Sequence, residues 1–463
     1  MGEPQVSTSS ALRVGAGVVE MDELLDLVAG WLPEQRWFPA QGEAVRLRPV
    51  DVTSWETDEP GTTAHVLVVT TVGSAAGSAA AQVPLVLRVG PAEVPTTARR
   101  LGHVAVRDEH GVATQEAALV TDGPGDPAYL RAWLSRAVAE PDVAGHVRAG
   151  LDASACRPIT GEQSNSSVIL PSSAPDAPSG ILKVFRSLTP GANPDVDVPR
   201  ALTAAGFRGV PRVLAWQDGE HPAGHRAVLS AFVPDAADGF QLACDLAATG
   251  ADFAPLAGEL GATIASLHDA LVHAFGTQGD EAGNGVADAL AQRLAWAADR
   301  VPALVEVAPA VTRIVERLAA LPHALRVQRI HGDLHLGQVL RAPSGWFVMD
   351  FEGEPLVPMD QRIRPDLALR DVAGLLRSID YAAARGGGDA RWAHDSRHAL
   401  LTAYFEGREP VVDAGAQALT LGALELDKAL YEVVYETENR PTWAQIPWSA
   451  VRRLVDELGG GAS

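Results

Sequence analysis

The sequence predicts an α+β protein with a strand-rich N-terminal half and a helical C-terminal half. Apolar segments that alternate or are rich in β-branched residues recur up to residue 233, which is typical of strands. After residue 240, apolar residues recur every three or four positions, which is typical of helices that bury one face. Between these regions, the Pro, Asp and Gly residues of segment 234–239 predict a turn that acts as a hinge.

The first elements predict a short tail and a subdomain over residues 16–105. Residues 1–15 are rich in Ser and Thr, and we expect a disordered tail without the layout of a signal peptide. Segment 20–32 has apolar residues at helical spacing and ends at Pro33. Strands are predicted at 45–52, 65–72 and 83–89.

Residues 106–238 are predicted to form a second strand-rich subdomain, which includes a helix at 127–138. Its strands are predicted at 156–159, 168–170, 181–185, 210–216 and 226–233. Residues 239–463 are predicted to be helical, interrupted by a strand-rich stretch at 328–350. Helices are predicted at 256–271, 286–300, 309–320, 366–379 and 414–438.

Composition and charge exclude several classes of function. The 463 residues include 37 Lys and Arg against 58 Asp and Glu, a formal net charge of −21. Such a surface repels polyphosphates and anionic lipids, so we expect neither nucleic acid nor a membrane as partner. No apolar run reaches the roughly 18 residues of a membrane-spanning helix. The two cysteines offer no disulfide framework and no metal-ligand spacing, and we expect a cytoplasmic protein.

Two acids follow two short apolar segments in the stretch 328–350. Asp333 lies on a glycine-containing loop, where it can accept a proton from a substrate hydroxyl. Asp350 follows a strand 17 residues later and can bind a divalent cation, to which Gln338 can add a neutral oxygen. Phosphoryl transfer needs this division of labour, because it depends on alignment and on neutralising charge on the phosphoryl oxygens.

Two other interpretations of this stretch compete with phosphoryl transfer. His331 and His335 are four residues apart, as in a zinc site on a helix, but Gly332 disfavours a helix and no Glu follows His331. Taken alone, Asp333 and Asp350 can also be acids that cap backbone amides in a buried turn. A second set of residues upstream favours phosphoryl transfer.

A polar loop and a lysine upstream can bind phosphate groups. Lys183 lies in the middle of a predicted strand, where its ammonium can reach phosphates, although a lone lysine on a strand is usually a solvated edge residue. The loop before it offers hydroxyls and backbone N–H groups, and its candidate nucleotide contacts are Gln163, Ser164, Asn165, Ser166 and Ser167. It is not a Walker motif. The order of phosphate loop, lysine, hinge, Asp333 and Asp350 is the order that a two-lobed kinase requires.

The last long predicted helix offers a surface for a sugar. Lys428, Tyr431 and Tyr435 lie on one side of this helix, at i, i+3 and i+7. Tyrosine rings suit the apolar face of a pyranose, whose hydroxyls take hydrogen bonds. The same stripe can instead pack its rings into the core. His335 and Glu354, which lie beside the acceptor loop, are further candidate contacts for sugar hydroxyls.

The sequence resembles the kinase-like phosphotransferases, which include aminoglycoside and choline kinases, through His331-Gly332-Asp333 and Asp350-Phe351. It is more similar still to the actinobacterial maltokinases, in blocks that lie at 35–38, 162–167, 181–186, 190–194, 331–340, 350–355, 431–436 and 439–443. The resemblance implies a two-lobed protein-kinase-like fold. Its parts are an N-terminal cap subdomain over 16–105, a β-rich N-lobe over 106–238 and a helical C-lobe over 239–463.

The resemblance also implies an activity and the residues that carry it. The activity is ATP- and magnesium-dependent phosphorylation of maltose at its anomeric hydroxyl, by a monomer, giving maltose 1-phosphate for glycogen synthesis. Asp333 corresponds to the catalytic base, and Lys183 to the residue that anchors phosphates. Gln338 and Asp350 correspond to the metal ligands. The acid that pairs with the strand lysine corresponds here to Asp197, which is shorter than the Glu of relatives.

Two alternatives remain open. Glucosamine kinases resemble maltokinases closely and aminoglycosides are more distant acceptors, but Lys428 on the sugar stripe would repel an ammonium and favours a neutral sugar. A non-catalytic pseudokinase that binds nucleotide or sugar is the alternative of another class, and the presence of Lys183, Asp333 and Asp350 argues against it. The kinase interpretation requires these three residues and Gln338 to meet around one cleft.

Overall fold

The computed structural model describes residues 10–38, 40–72, 80–90, 93–159, 164–278, 285–321, 326–353, 362–408 and 413–459. The chain divides into two compact units, one of Met1–Asp197 with Arg212–Phe232 and one of Val198–Pro211 with Val233–Ser463. Strands dominate the first unit and helices the second. The predicted α+β class, with strands in the N-terminal part and helices in the C-terminal part, is therefore confirmed.

The first unit contains an antiparallel sheet built mainly from the N-terminal strands. These are β1 (Ala11–Val14), β2 (Gly17–Glu20), β3 (Leu47–Glu56), β4 (Thr62–Thr71), β5 (Ala80–Val89), β6 (Arg100–Arg107) and β7 (Ala113–Asp122). They lie in the order β1-β2-β6-β7-β5-β4-β3. β4 and β5 lie inside the sheet and are buried on both faces, which is why their sequences are almost continuously apolar.

Helices of the first unit contribute to the apolar clusters on both faces of this sheet. They are α1 (Met21–Trp31), α2 (Pro127–Arg136) and α3 (Ala144–Ala149). Leu24 of α1 shares one cluster with Leu67 of β4, and Tyr129 of α2 shares another with Val66 of β4. Since Val66 and Leu67 are adjacent on a strand, they point to opposite faces.

A second sheet in the first unit carries the predicted lysine strand. Its strands and the short strand that follows them are β8 (Val138–Ala139), β9 (Arg157–Pro158), β10 (Asn165–Leu170), β11 (Gly180–Phe185), β12 (Ser187–Leu188), β13 (Val213–Glu220) and β14 (Ala223–Ala231). The order in this sheet is β8-β13-β14-β11-β10-β9. β12 instead pairs with β5, so the chain passes directly from the second sheet to the first.

The second unit is mainly helical. α4 (Pro194–Ala204) contains the division between the units, and the later helices are α5 (Gly239–Thr249), α6 (Ala254–Phe275), α7 (Gly285–Arg300), α8 (Ala308–Ala319), α9 (Leu369–Gly386), α10 (Ala390–Phe405), α11 (Ala414–Asn439) and α12 (Gln445–Gly459). The strands are β15 (Ala237–Asp238), β16 (Thr277–Gln278), β17 (Val327–Gln328), β18 (Val339–Ala342) and β19 (Gly345–Val348). β15, β18 and β19 form one small sheet, and β16 pairs with β17. One apolar core joins these elements and includes Ile264, Leu375 and Leu430.

The domain limits at residues 15, 105 and 238 stay predictions. Residue 105 lies within β6, and β7 continues the same sheet to Asp122. Within the described ranges, no helix is both long and apolar enough to span a bilayer.

A buried ion pair connects β5 with the start of α2. Asp126 is 0% exposed, and both of its oxygens lie 2.6 Å from guanidinium nitrogens of Arg88. The same carboxylate accepts hydrogen bonds from the Thr121 hydroxyl and, as the N-cap of α2, from the Ala128 amide. The pair therefore fixes where the helix leaves the sheet.

We expect Asp126→Ala to lower the free energy of unfolding by about 3–5 kcal/mol, because the Arg88 charge stays buried without its main partner. Urea denaturation followed by circular dichroism measures the change. The matched control is Asp58→Ala, which removes an exposed partner of Arg131 in the same unit and should change stability by about 1 kcal/mol or less. Equal losses in the two variants would contradict this prediction.

Candidate active site

The loop that contains Asp333 is held by a buried carboxylate of α9. Asp371 accepts hydrogen bonds from the backbone N–H groups of His331, at 2.8 Å, and Gly332, at 2.9 Å. Gly332 has a φ of 88°, a conformation that favours glycine. A Cβ at Gly374 on the same helix would overlap the Leu334 carbonyl, so α9 and the loop approach closely because this position is glycine. The loop therefore rests on α9 through hydrogen bonds and direct backbone packing.

The Asp371 carboxylate is itself held by a second layer of buried groups. The Nε2–H of His268 donates to it at 3.1 Å, and Nδ1 of that ring accepts from the Tyr404 hydroxyl at 2.9 Å. Burial alone would raise the pKa of Asp371, but the hydrogen bonds from His268 and from the Gly332 amide help to outweigh burial, and the pKa is lowered. Asp371 is therefore an ionised acceptor that orders the loop.

Asp333 is partly buried beside a cation. Its Oδ1 lies 3.6 Å from Nζ of Lys428 on α11. Burial raises the pKa of Asp333, although the charges of Lys428 and His331 oppose this rise. A carboxylate whose proton affinity is raised by burial and adjusted by a neighbouring cation is well suited to accept a proton.

Gln338 and Asp350 meet at the small sheet that follows this loop. Nε2 of Gln338 donates to Oδ2 of Asp350 at 3.2 Å. Asp350 follows β19 with a φ of 62°, a left-handed conformation that is uncommon outside glycine and often occurs at functional sites. Nε2–H of His331 donates to the Met349 carbonyl at 2.8 Å, which connects this turn to the Asp333 loop. The predicted cation ligands therefore lie together.

These two residues fit a magnesium ion. With its amide nitrogen on Asp350, Gln338 keeps an oxygen available, and Asp350 provides a carboxylate. No cluster of three or more His, Cys, Asp or Glu side chains with metal-binding geometry occurs among the described residues. Magnesium does not require one, because it usually takes one or two protein carboxylates and completes its shell with waters and substrate phosphates.

A cavity of 670 Å³ lies beside Asp333. Its volume is within the roughly 300–1,000 Å³ typical of small-molecule sites. Five of the predicted sugar-site residues line it, namely Asp333, His335, Lys428, Tyr431 and Tyr435. Glu354 lies outside the described residues. The structure therefore brings the described part of this predicted set together at one cavity.

The cavity wall contains stacked aromatic rings. The Tyr431 ring lies nearly parallel to the rings of Trp296 and Tyr435, with ring centroids 5.9 and 6.2 Å away. Tyr435 is 41% exposed, so the stripe is not packed wholly into the core. Burial lowers the pKa of His335 to about 4, which keeps this ring neutral near pH 7. Its Nδ1 accepts from the Gly337 amide at 3.1 Å, and this contact fixes the ring in the wall.

Three arginines at the cavity were not predicted from the sequence: Arg293 and Arg370 line it, and Arg377 pairs with the lining residue Glu432. Arg293 of α7 lies 3.2 Å from Asp427 through its Nε, and Arg370 of α9 lies 3.5 Å from the same carboxylate. Arg377, which is fully buried, donates two hydrogen bonds to Glu432 at 2.9 and 2.7 Å. In the sequence these arginines belong to ordinary amphipathic helices, and no local signal distinguishes them.

The first unit pairs Lys183 with Asp195, and the predicted pairing with Asp197 is wrong. Nζ of Lys183 lies 2.5 Å from Oδ2 of Asp195. Residues two apart on a helix are about 200° apart around its axis, so Asp195 and Asp197 of α4 point in different directions. Asp197 has a side chain 43% exposed and lies 3.9 Å from His225. The sequence analysis predicted neither this helix nor which of its acids faces the strand.

The predicted phosphate-loop residues divide between the two faces of β10. Ser167 pairs with Lys183 in register, and Asn165 shares their face because it is two residues away. Ser166 points to the other face, where its hydroxyl accepts from Nε of Arg186 at 2.8 Å. Ser164 is exposed at the start of the strand, and Gln163 lies outside the described residues. That Lys183 meets Asp333, Gln338 and Asp350 around one cleft stays a prediction.

Two family profiles match the chain. The phosphotransferase enzyme family matches residues 155–411, more than half of the chain. The maltokinase N-terminal cap domain matches residues 31–126. These matches confirm the predicted resemblance and the kinase-like fold with an additional N-terminal cap.

Individual relatives are similar over most of the chain. A glucosamine kinase of Mycolicibacterium smegmatis is 29% identical over 331 residues, which cover 65% of this chain and 80% of the relative. A glucosamine kinase of Streptacidiphilus jiangxiensis is 29% identical over 386 residues, covering 72% and 82%. A solved glucosamine kinase structure, crystal form A, covers 94% of this chain and 97% of its own at 24% identity, with a TM-score of 0.62. A glucosamine kinase in complex with glucosamine, ADP and inorganic phosphate covers 93% and 98% at 24% identity, with a TM-score of 0.59.

Proposed function

The chain belongs to the phosphotransferase enzyme family, and on that premise we propose that it is an ATP-dependent kinase of maltose. The product is maltose 1-phosphate, which supplies α-glucan synthesis. The observation that carries this proposal is that Asp333 lies at a cavity whose wall also presents Lys428, Tyr431 and Tyr435. The match to the maltokinase cap domain supports the same acceptor.

The chemistry follows from the charges around Asp333. The carboxylate accepts the proton of the anomeric hydroxyl, while the oxygen of that hydroxyl forms a bond to the γ-phosphorus of ATP and the bond from phosphorus to the β,γ-bridging oxygen breaks. Burial raises the pKa of this carboxylate, and Lys428, 3.6 Å away, opposes the rise and so favours the ionised form. Tyr431 and Tyr435 orient the sugar by stacking on its apolar face.

In this proposal, ATP is bound by the lysine and phosphate-loop residues and by the predicted magnesium ligands. Lys183, held by Asp195, binds phosphates of ATP, and the face of β10 that carries Asn165 and Ser167 lies beside it. Asp350 and the Gln338 oxygen would hold magnesium. When bound, the ion neutralises charge on the phosphate oxygens.

A neutral acceptor is favoured by how the acids of the cavity are paired. Asp427 contacts Arg293 and Arg370, and Glu432 contacts Arg377. An ammonium needs a carboxylate that is not already occupied by another cation. Sugar hydroxyls can instead share hydrogen bonds with both members of such pairs.

Glucosamine is the second candidate acceptor. The two relatives described above are glucosamine kinases, and their similarity extends over most of this chain. The cavity also contains Asp238, which caps α5 by accepting from the Gln241 amide and lies on the lining with Asp333. A carboxylate of this kind can attract an ammonium, so the acceptor must be decided by direct comparison.

We expect the purified protein with ATP and magnesium to release ADP faster with maltose than with glucosamine, glucose or aminoglycosides. The reason is the arginine pairing of Asp427 and Glu432. A coupled ADP assay over this acceptor panel measures the ranking, with acceptor-free ATP turnover as its baseline. Preference for glucosamine would overturn the maltose proposal and leave the kinase proposal intact, whereas the absence of acceptor-dependent turnover would overturn both.

We expect Asp333→Asn to lower kcat by roughly a hundredfold or more, the usual effect of removing a positioned acid or base. The amide has nearly the same size, so the thermal unfolding temperature should change little. Steady-state kinetics and a thermal melt of the same preparation measure both. Full turnover in this variant would show that Asp333 is not the base.

We expect Lys428→Met to move the acid limb of the kcat/KM profile to higher pH. Asp333 acts as a base only when ionised, so activity is present above its pKa and is lost as the pH falls through it. Burial raises that pKa and Lys428 opposes the rise, so removing the ammonium raises it further. Profiles of the wild type, Lys428→Met and the charge-preserving Lys428→Arg measure the shift. An unmoved limb, or one at lower pH, would contradict the assigned role of Lys428.

A further inference from the structure

Arg293 is a cation fixed in the wall of the cavity beside the tyrosine stripe. Its guanidinium carbon lies 5.2 Å from the ring centroids of both Trp296 and Tyr431. Its Nε lies 3.2 Å from Oδ1 of Asp427. Two aromatic faces and one carboxylate therefore hold the guanidinium, and such a planar group loses little freedom in forming these contacts.

The position of Arg293 determines what Asp427 can offer to an acceptor. The Asp427 side chain is only 13% exposed, and its other oxygen lies 3.5 Å from Arg370, which pairs more closely with Asp366, at 2.6 Å. Arg293 is therefore the nearer of the two described cations at this carboxylate. Arg293 neutralises the charge of Asp427. Without Arg293, the Asp427 carboxylate would face the cavity with Arg370, at 3.5 Å, as its remaining described cation.

The same position determines which acceptors are repelled. Tyr431 is one of the two rings on which we place the sugar, and the Arg293 guanidinium carbon lies 5.2 Å from its centroid. An amino group carried by a sugar on this ring would meet a fixed positive charge in a partly buried place, where like charges interact more strongly than in water. A hydroxyl at the same place can accept a hydrogen bond from a guanidinium N–H.

We propose that Arg293 is a specificity-determining residue, which excludes acceptors that carry an ammonium and favours those that carry only hydroxyls. The proposal rests on the proposed function, since it assumes that the cavity binds the acceptor sugar. The proposed role of Arg293 does not involve contact with the reacting atoms. It sets the charge of the wall and the availability of Asp427.

The experiment compares kcat/KM for glucosamine with kcat/KM for maltose in the wild type and in Arg293→Gln. Glutamine keeps hydrogen-bond donors and removes the charge. We expect the ratio of glucosamine to maltose to rise by about tenfold or more, because one repulsion is lost and one carboxylate is released. Arg293→Lys keeps the positive charge and should leave the ratio within about threefold of the wild type.

Two further variants separate this effect from a general loss of structure. Arg300→Gln removes the other arginine that stacks on Trp296, at 4.8 Å, but Arg300 pairs with the exposed Asp299 and does not line the cavity. This control should leave the ratio unchanged. Adding Asp427→Asn to Arg293→Gln should remove most of the gain for glucosamine, because the released carboxylate is then absent. Thermal melts of all variants report whether each is folded.

The outcomes distinguish this proposal from the proposed function. If the wild type does not phosphorylate maltose, the proposed acceptor is wrong. If the wild type phosphorylates maltose and folded Arg293→Gln keeps the wild-type ratio, Arg293 does not determine specificity. Relaxation of the ratio to the same extent in Arg293→Lys would also overturn the proposal, because the shape of the side chain and not its charge would then matter. If Arg293→Gln fails to fold, calorimetry of glucosamine binding to Arg293→Lys and to the single variant Asp427→Asn tests the same charges. An affinity for glucosamine that is unchanged in Asp427→Asn would overturn the proposal.

Discussion

The position of Asp333, the proposed base, depends on one buried carboxylate to which we assign no part in the chemistry itself. Asp371 accepts the amides of His331 and Gly332, and without it two buried N–H groups would lack acceptors. The residue after these amides is Asp333, so its direction is set by hydrogen bonds one and two residues earlier. His268 and Tyr404 keep Asp371 ionised and oriented. The proposed base is thus positioned from the core outward, in the way that rigid catalytic geometry requires.

The cavity depends in a similar way on ion pairs behind its wall. Arg377 pairs with Glu432 and Asp380, and Glu425 receives Arg397 and Arg453, so that α9, α10, α11 and α12 are joined by charges with little access to water. Such pairs contribute little net stability, because desolvation offsets their attraction, but a helix that shifts leaves a buried charge without its partner. The register of α11 is therefore strongly fixed. That register determines which of its side chains, Lys428 and Tyr431 among them, face the cavity.

The sequence was sufficient for the fold class and for motifs in which the chemistry is local. Periodicity separates strands from helices, and Asp333, Gln338 and Asp350 lie within one short segment whose turns bring them together. Sequence-based prediction failed for contacts that depend on which side of a helix a residue lies, or on partners that are distant in the chain. Asp195 and Asp197 are the same residue type, and only the rotation of α4 about its axis decides which of them meets Lys183. Arg293 and Asp427 are 134 residues apart, and their pairing exists only once α7 packs beside α11.

The charges that line the cavity are compatible with the proposed neutral acceptor, although the protein as a whole is strongly acidic. Five cationic and five anionic side chains line it, the cationic ones being Arg293, Arg370, Arg385, Lys428 and Arg440. Because the charges balance, the wall offers many strong donors and acceptors without a large field that would select for charge. Selectivity then depends on which single charges remain available after pairing, so one arginine can change the class of acceptor while the fold stays the same. In the proposed mechanism, the base lies in the loop that α9 supports, and the residues that select the acceptor lie on α7 and α11.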